Sequence, residues 1–318
     1  RDAEKVLQRL CANDISKSYK RVVYSSMLNF CGGIESDLTI MRLNDDSFLL
    51  ITGTEQPIRD RDWIFRNIKK EDNFFVTDVT GSYAVISLAG PKSRELISKV
   101  SPEDFSNVGF PYYTHRYIEI GHIVLRAARL SFIGELGWEL YIPSESAIPV
   151  FDEINEAGKD IGLKFAGSEA LSSLRIEKGS RAWGHELTST ETPLHAGLEK
   201  TVKFKKKESF LGKEALLKFK KQGLDRQLVI LTLKDSEVSP QGGEPIWWGK
   251  NLVGLTTSAA YGYTLGCYVM MGYIKNTDIK VKKMIKIGGF EVEIACRRFS
   301  AEVLLESPYD PKGLALKR

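Results

Sequence analysis

Apolar positions along the chain change their period several times, and each change marks an element. In DAEKVLQRLCAND, Val6, Leu7, Leu10 and Cys11 recur at helical spacing until Asn13-Asp14 ends the run, which predicts a first helix. Two alternating segments follow, KRVVYSSMLNF and IESDLTIMRL, separated by CGG in the manner of a hairpin. DDSFLLITG reads as a third strand, and RDRDWIFRNIKK as a helix with Trp63, Ile64 and Ile68 on one side. YAVISLAGPKSRELISKV then gives a strand and a helix that opens at Gly90-Pro91. IVLRAARLSFIGELGWELYIP is a strand, a reversal at Gly134 and Gly137, and a returning strand. Two helices come next, in IPSESAIPVFDEINEAGKDIG and in SEALSSLRIEKG, where Ala170, Leu171, Leu174 and Ile176 are the apolar positions.

Strands and helices interleave without the regular alternation of a parallel sheet, so the fold class is α+β with mainly antiparallel sheets and packed helices. Near residue 200 the pattern changes. TVKFKKKESFLGKEALLKFKKQGLDR is a lysine-rich connection with a short helix, and from LVILTLKD onward short strands and glycine turns dominate. The expected division is an α+β region over 1–223 and a β-rich domain over 224–318. A length of 318 residues agrees with more than one packed unit.

A net charge of +4, spread through the chain, argues against nucleic acid as the partner and is compatible with a small anionic ligand. The run Lys203, Lys205, Lys206 and Lys207 reads as a solvated face, with docking of a polyanionic ligand tail as the alternative. Cys11, Cys31, Cys267 and Cys296 lie far apart, which gives neither a metal nor a disulfide framework and points to a reducing compartment. The longest apolar runs are too short to span a bilayer, so no membrane partner is expected. The chain opens on RDAEKVLQRL with neither Met nor a leader, and so reads as a piece of something larger.

No glycine-rich nucleotide fingerprint occurs, and this chain by itself is expected to bind no flavin. His115, His122, His185 and His195 lack ligand spacing and read as structural; no GxSxG elbow is present. What remains are carboxylates on strands. Asp37 shares a face with Thr39, opposite Leu38 and Ile40, although aspartate is disfavoured in strands. Glu139 shares a face with Tyr141, opposite Trp138, Leu140 and Ile142. Asp37 is either an exposed acid on an edge strand or part of a site, and Glu139 either a similarly exposed strand acid or part of a site.

MLNFCGGIESDLTIMRL, FIGELGWELYIP, LRIEKGSRAWGHEL, TPLHAGLEKTVKF, FLGKEAL and VGLTTSAAYGYTLGCYVMMGYI stand in this order along essentially the whole chain. Together they resemble the tetrahydrofolate-binding, aminomethyltransferase-like portion of the mitochondrial dimethylglycine and sarcosine dehydrogenase family, which is itself similar to the glycine cleavage T-protein. The resemblance implies two lobes followed by a C-terminal β-barrel around a folate channel, and a mitochondrial matrix location. It implies that a preceding FAD domain, outside this chain, oxidises an N-methyl group. The released carbon is then captured by tetrahydrofolate, polyglutamylated or not, as 5,10-methylenetetrahydrofolate.

In the same family the carboxylate matching Glu139 pairs with the amino-pyrimidine edge of the pterin, whose adjacent N–H donors suit an ionised carboxylate. The aspartate matching Asp37 is the catalytic residue, placed near the nitrogens that accept the carbon. Phe132, Trp183, Tyr261 and Tyr263 are carried over as further folate-binding positions; no metal is implied. Three departures stand out: Phe132 where relatives commonly have Tyr, Leu171-Ser172 in place of an Arg-Asp pair, and Cys267 where a lysine is frequent. A non-catalytic relative, the regulatory subunit of pyruvate dehydrogenase phosphatase, shares the architecture and acts through protein contacts; retention of both Asp37 and Glu139 favours the enzyme.

Overall fold

The structure is a computed structural model that describes residues 1–234 and 237–318. The chain runs α1 (Ala3–Leu10), β1 (Val22–Leu28), β2 (Ile34–Arg42), β3 (Phe48–Ile51), α2 (Pro57–Arg66), then β4 (Tyr83–Ala89), α3 (Ser93–Val100), β5 (Thr114–Ile120), β6 (Ile123–Arg129), β7 (Gly137–Pro143) and α4 (Ala147–Gly158). The order helix, three strands, helix occurs twice. In the first sheet the strands lie β1-β2-β3, and in the second β5-β6-β7 is extended by β4 on the far side of β7. The two copies meet where β1 touches β5, through an isolated Arg21–Thr114 bridge with Val22 N–H donating to Tyr113 O and His115 N–H to Lys20 O, both at 2.9 Å.

Strand alternation gives each sheet two different faces. On the first sheet Val23, Met27, Leu38 and Ile40 pack under α1 and α2 with Leu7, Leu10 and Ile64. On the second, Leu88, Ile118, Leu125, Trp138, Leu140 and Ile142 pack under α3 and α4 with Leu96, Ile97, Val150 and Ile154. The opposite faces turn toward each other: Val22 and Met41 of the first sheet close on Ala128 and Tyr141 of the second, with Leu49 and Ile51 at the margin. The result is a helix–sheet–sheet–helix stack, and its middle seam is only partly filled by apolar side chains.

α5 (Ser168–Lys178) and α6 (Lys213–Gln222) link this stack to a closed antiparallel barrel. Its strands are β8 (Arg226–Leu233), β9 (Pro245–Trp248), β10 (Asn251–Gly262), β11 (Cys267–Lys275), β12 (Phe290–Ile294) and β13 (Arg297–Leu304), in spatial order β10-β11-β8-β13-β12-β9. α7 (Val281–Ile287) lends Val281 and Met284 to the barrel core.

Three expectations need correction. Ala170 and Leu171 of α5 are exposed, and the helix instead buries Ser173, Arg175, Ile176 and Glu177 against the barrel. That face is polar because it is wired: Ser173 Oγ donates to Tyr261 O at 2.7 Å, and Glu177 Oε1 accepts the N–H groups of Thr264 and Leu265 at 2.9 and 3.0 Å. Lys206 does not share the solvated face of Lys203, Lys205 and Lys207. Its ammonium donates to the carbonyls of Gln8, Cys11 and Asn13, tying off the end of α1, and burial pulls its pKa down to about 8. Asp37 is not on an edge, since β2 is the middle strand of its sheet.

Candidate functional site

Asp37 lies on the seam side of β2, opposite Ser26 of β1, and its diagonal neighbour Tyr24 donates its hydroxyl to Oδ2 at 2.9 Å. Burial pushes the Asp37 carboxyl above the ordinary aspartate range; the Tyr24 bond works against this, and the charge of Asp60 on α2 adds to it. Tyr24 is itself driven far up by burial and by Asp37. Two residues with no warning in the periodicity stand close to this pair. Tyr113, at the β1–β5 junction, holds a left-handed backbone (φ 59°), unusual for a bulky side chain. Arg181, just past the Gly179 cap of α5, lies within electrostatic reach of Tyr24 and of Tyr273 of β11.

Glu139 lies on the seam side of β7, flanked by Ser87 of β4 and Ala128 of β6. Both neighbours are small, so the carboxylate stands clear of side chains to either hand. Tyr141, two residues on and on the same face, donates its hydroxyl to Oε2 at 2.5 Å. Oε1 has no hydrogen-bond partner among the described residues. Burial raises the Glu139 pKa and the Tyr141 bond lowers it. Asp37 and Glu139 thus sit on the two inner faces, each half-buried, each held by one tyrosine.

Trp183 is fixed at the start of β2, its Nε1 donating to Ile34 O at 3.2 Å, with the Arg59 guanidinium 4.7 Å above its ring and paired to Glu35. Phe132 lies in the β6–β7 connection, 38% exposed. Tyr261 and Tyr263 form an aromatic group with Tyr268 at the tip of the β10–β11 hairpin, with ring centroids 5.1 and 5.2 Å apart, and Tyr263 is 81% exposed. None of these four contacts Asp37 or Glu139 through a hydrogen bond or ring contact among the described residues. His115 and His195 are buried in structural bonds, to Arg126 Nη1 at 2.9 Å and Thr192 Oγ1 at 2.8 Å. Burial and Arg126 hold His115 down to about 4, neutral at physiological pH. Among the described residues no cluster of His, Cys, Asp or Glu is placed to hold a metal.

A paired-sheet stack with inward carboxylates, joined to a six-stranded barrel, has a counterpart among known proteins. Residues 1–206 match the family model described as the GCVT N-terminal domain, and residues 226–310 the glycine cleavage T-protein C-terminal barrel domain. The chain belongs to the glycine cleavage T-protein family. It is 36% identical to mitochondrial sarcosine dehydrogenase of Mus musculus over 99% of this chain and 36% of that protein. It is 34% identical to the mitochondrial pyruvate dehydrogenase phosphatase regulatory subunit of the same organism, over 96% of this chain and 36% of that one. The chain therefore spans about a third of the length of these relatives. The fold matches the glycine cleavage aminomethyltransferase T of Bartonella henselae with a TM-score of 0.78 at 21% identity, over 96% of this chain and 80% of that one.

Proposed function

We propose that the protein binds tetrahydrofolate in the seam between the two sheets. There it hands over the carbon released when a flavin-bearing domain, outside this chain, oxidises dimethylglycine or sarcosine, giving 5,10-methylenetetrahydrofolate in the mitochondrial matrix. The observation that carries this reading is the pair of facing, partly desolvated carboxylates, Asp37 and Glu139, each anchored by one tyrosine and each with acceptor capacity to spare. The free Oε1 of Glu139 and a second lone pair on Oε2 suit the adjacent N–H donors of a pterin edge. Tetrahydrofolate, when bound, supplies two nucleophilic nitrogens. Asp37, whose burial raises its proton affinity, is suited to take the proton such a nitrogen sheds and to steady the positive charge that develops beside it. Trp183, Phe132, Tyr261 and Tyr263 offer flat apolar surface to the rings and tail of the same ligand.

Calorimetric titration of tetrahydrofolate decides the matter. Wild type is expected to bind, and Glu139→Ala to bind about tenfold to a hundredfold more weakly, since each lost bond to a charged acceptor is worth about 1.5–3 kcal/mol. Equal affinity in the two proteins removes Glu139 as pterin anchor. Similarity to the phosphatase regulatory subunit supports a second reading, a non-catalytic protein acting through its surface. Absence of folate binding by wild type would put that reading first.

A further inference from the structure

Among the described residues Arg181 is a cation without a counter-ion. Its Nε donates to Ala196 O at 3.0 Å and its Nη1 to Gly179 O at 2.7 Å. Among the described residues Nη2 reaches no acceptor, and no carboxylate lies within ion-pair distance. Glu186, the acid whose charge favours the guanidinium's, is committed to Arg175 at 2.7 Å. Burial works against the Arg181 charge. An unpaired guanidinium withdrawn from water is costly, and proteins that retain one ordinarily set it against an anion.

Its surroundings say where that anion lies. The segment 181–183 is docked on the first sheet by Trp183 Nε1, which donates to Ile34 O three residues before Asp37. The guanidinium lies within electrostatic reach of Tyr24, the donor to Asp37, and of Tyr273, whose hydroxyl donates to Glu186 O at 2.8 Å. Both carbonyl bonds pin the plane of the group, so its free edge is fixed. Gly197 keeps that edge open: a Cβ there would stand 3.0 Å from Nη2, on a backbone with φ +70°. A rigid, open fork of this kind fits a carboxylate better than a lysine could.

We propose that Arg181 anchors a carboxylate of the ligand held beside Asp37. This rests on the folate reading above and extends it. Two sources share the chemistry: a glutamyl carboxylate of the folate tail, or the carboxylate of the N-methylated amino acid whose carbon is captured. In either case Arg181 is a positioning residue that fixes how far the ligand sits from Asp37.

The test compares tetrahydrofolate with tetrahydropteroate, which has the same rings and no glutamate, in wild type, Arg181→Met and Arg181→Lys, with a thermal melt of each protein. Wild type is expected to prefer the glutamylated ligand by roughly tenfold or more, Met to lose the preference, and Lys to keep part of it. A second arm measures whether N,N-dimethylglycine raises the melting temperature of wild type and not of Arg181→Met; that result assigns the carboxylate to the amino acid. A wild type indifferent to the glutamate and to dimethylglycine overturns the proposal without any variant. A folded Arg181→Met protein that keeps the full preference overturns it too. If no folate binds wild type, the folate reading falls, and the dimethylglycine arm still decides the role of Arg181.

Discussion

Glu139 carries an electrostatic burden in the ligand-free protein. Its pKa is raised by burial, so the folded state holds the proton more tightly than the unfolded chain. The stability this gives is fully present below the unfolded carboxylate value, about 4.3, and is lost as pH rises through the higher folded value. Glu139→Gln removes the titration while keeping the shape. The variant is therefore expected to melt roughly 2–4 °C above wild type at pH 7, the shift that about 1 kcal/mol produces in a domain of this size class. The gap should close as pH is lowered past the folded value, and a gap independent of pH would mean that packing, not charge, sets it. Placement of Glu139 and Tyr141 on one face, and of Trp138, Leu140 and Ile142 on the other, followed from alternation alone. Arg181 and Tyr113 could not be found that way, because they lie in irregular segments where no period assigns a face.

At the scale of elements, α5 shows why a hydrophobic pattern can point to the wrong side of a helix. Its buried face is held by an ion pair, Arg175 with Glu186, in which both side chains are at most 5% exposed. Arg175 also donates to Ser258 Oγ at 2.8 Å, and Glu186 accepts from Thr257 Oγ1 at 2.8 Å and from Ala182 N–H at 3.0 Å. The bulge of β10 between Thr256 and Ser258 turns these hydroxyls toward the helix. Removing one ion from such a network strands the other. Glu186→Met is expected to lower unfolding stability by about 3–5 kcal/mol, and the Arg175→Met, Glu186→Met pair by clearly less than the sum of the two single changes. Denaturant melts of the four proteins give the coupling, and simple additivity would show that the two charges act independently. The same scale hides the duplication. VLQRLCAND and ELISKVSPED share a helix closing on an acidic turn, yet the strands that follow share hydrophobic alternation and little else, so only strand order reveals the repeat.

Across the whole molecule, the proposed capture site lies in the seam between the two sheets, and the oxidising step proposed above belongs to a domain outside this chain. Capture and oxidation should then be separable. In the protein joined to its oxidising domain, Asp37→Asn keeps the hydrogen-bond contact with Tyr24 within reach while removing the proton acceptor, so amine oxidation should continue at close to the wild-type rate. The released carbon should escape as formaldehyde in place of methylenetetrahydrofolate. Total loss is not expected, because holding the folate nitrogens beside the donor already removes a barrier of about 7–11 kcal/mol that no single side chain supplies. A general base typically adds a factor of about a hundred to ten thousand, and that factor should vanish from the capture step alone. Raising pH offers the control: wild-type capture should improve as Asp37 loses its proton through its elevated value, and the Asn variant should show no such limb. If both proteins partition carbon identically at every pH, Asp37 is not the acceptor. If neither captures carbon although both oxidise amine, the seam serves protein contacts, as the likeness to the phosphatase regulatory subunit would have it.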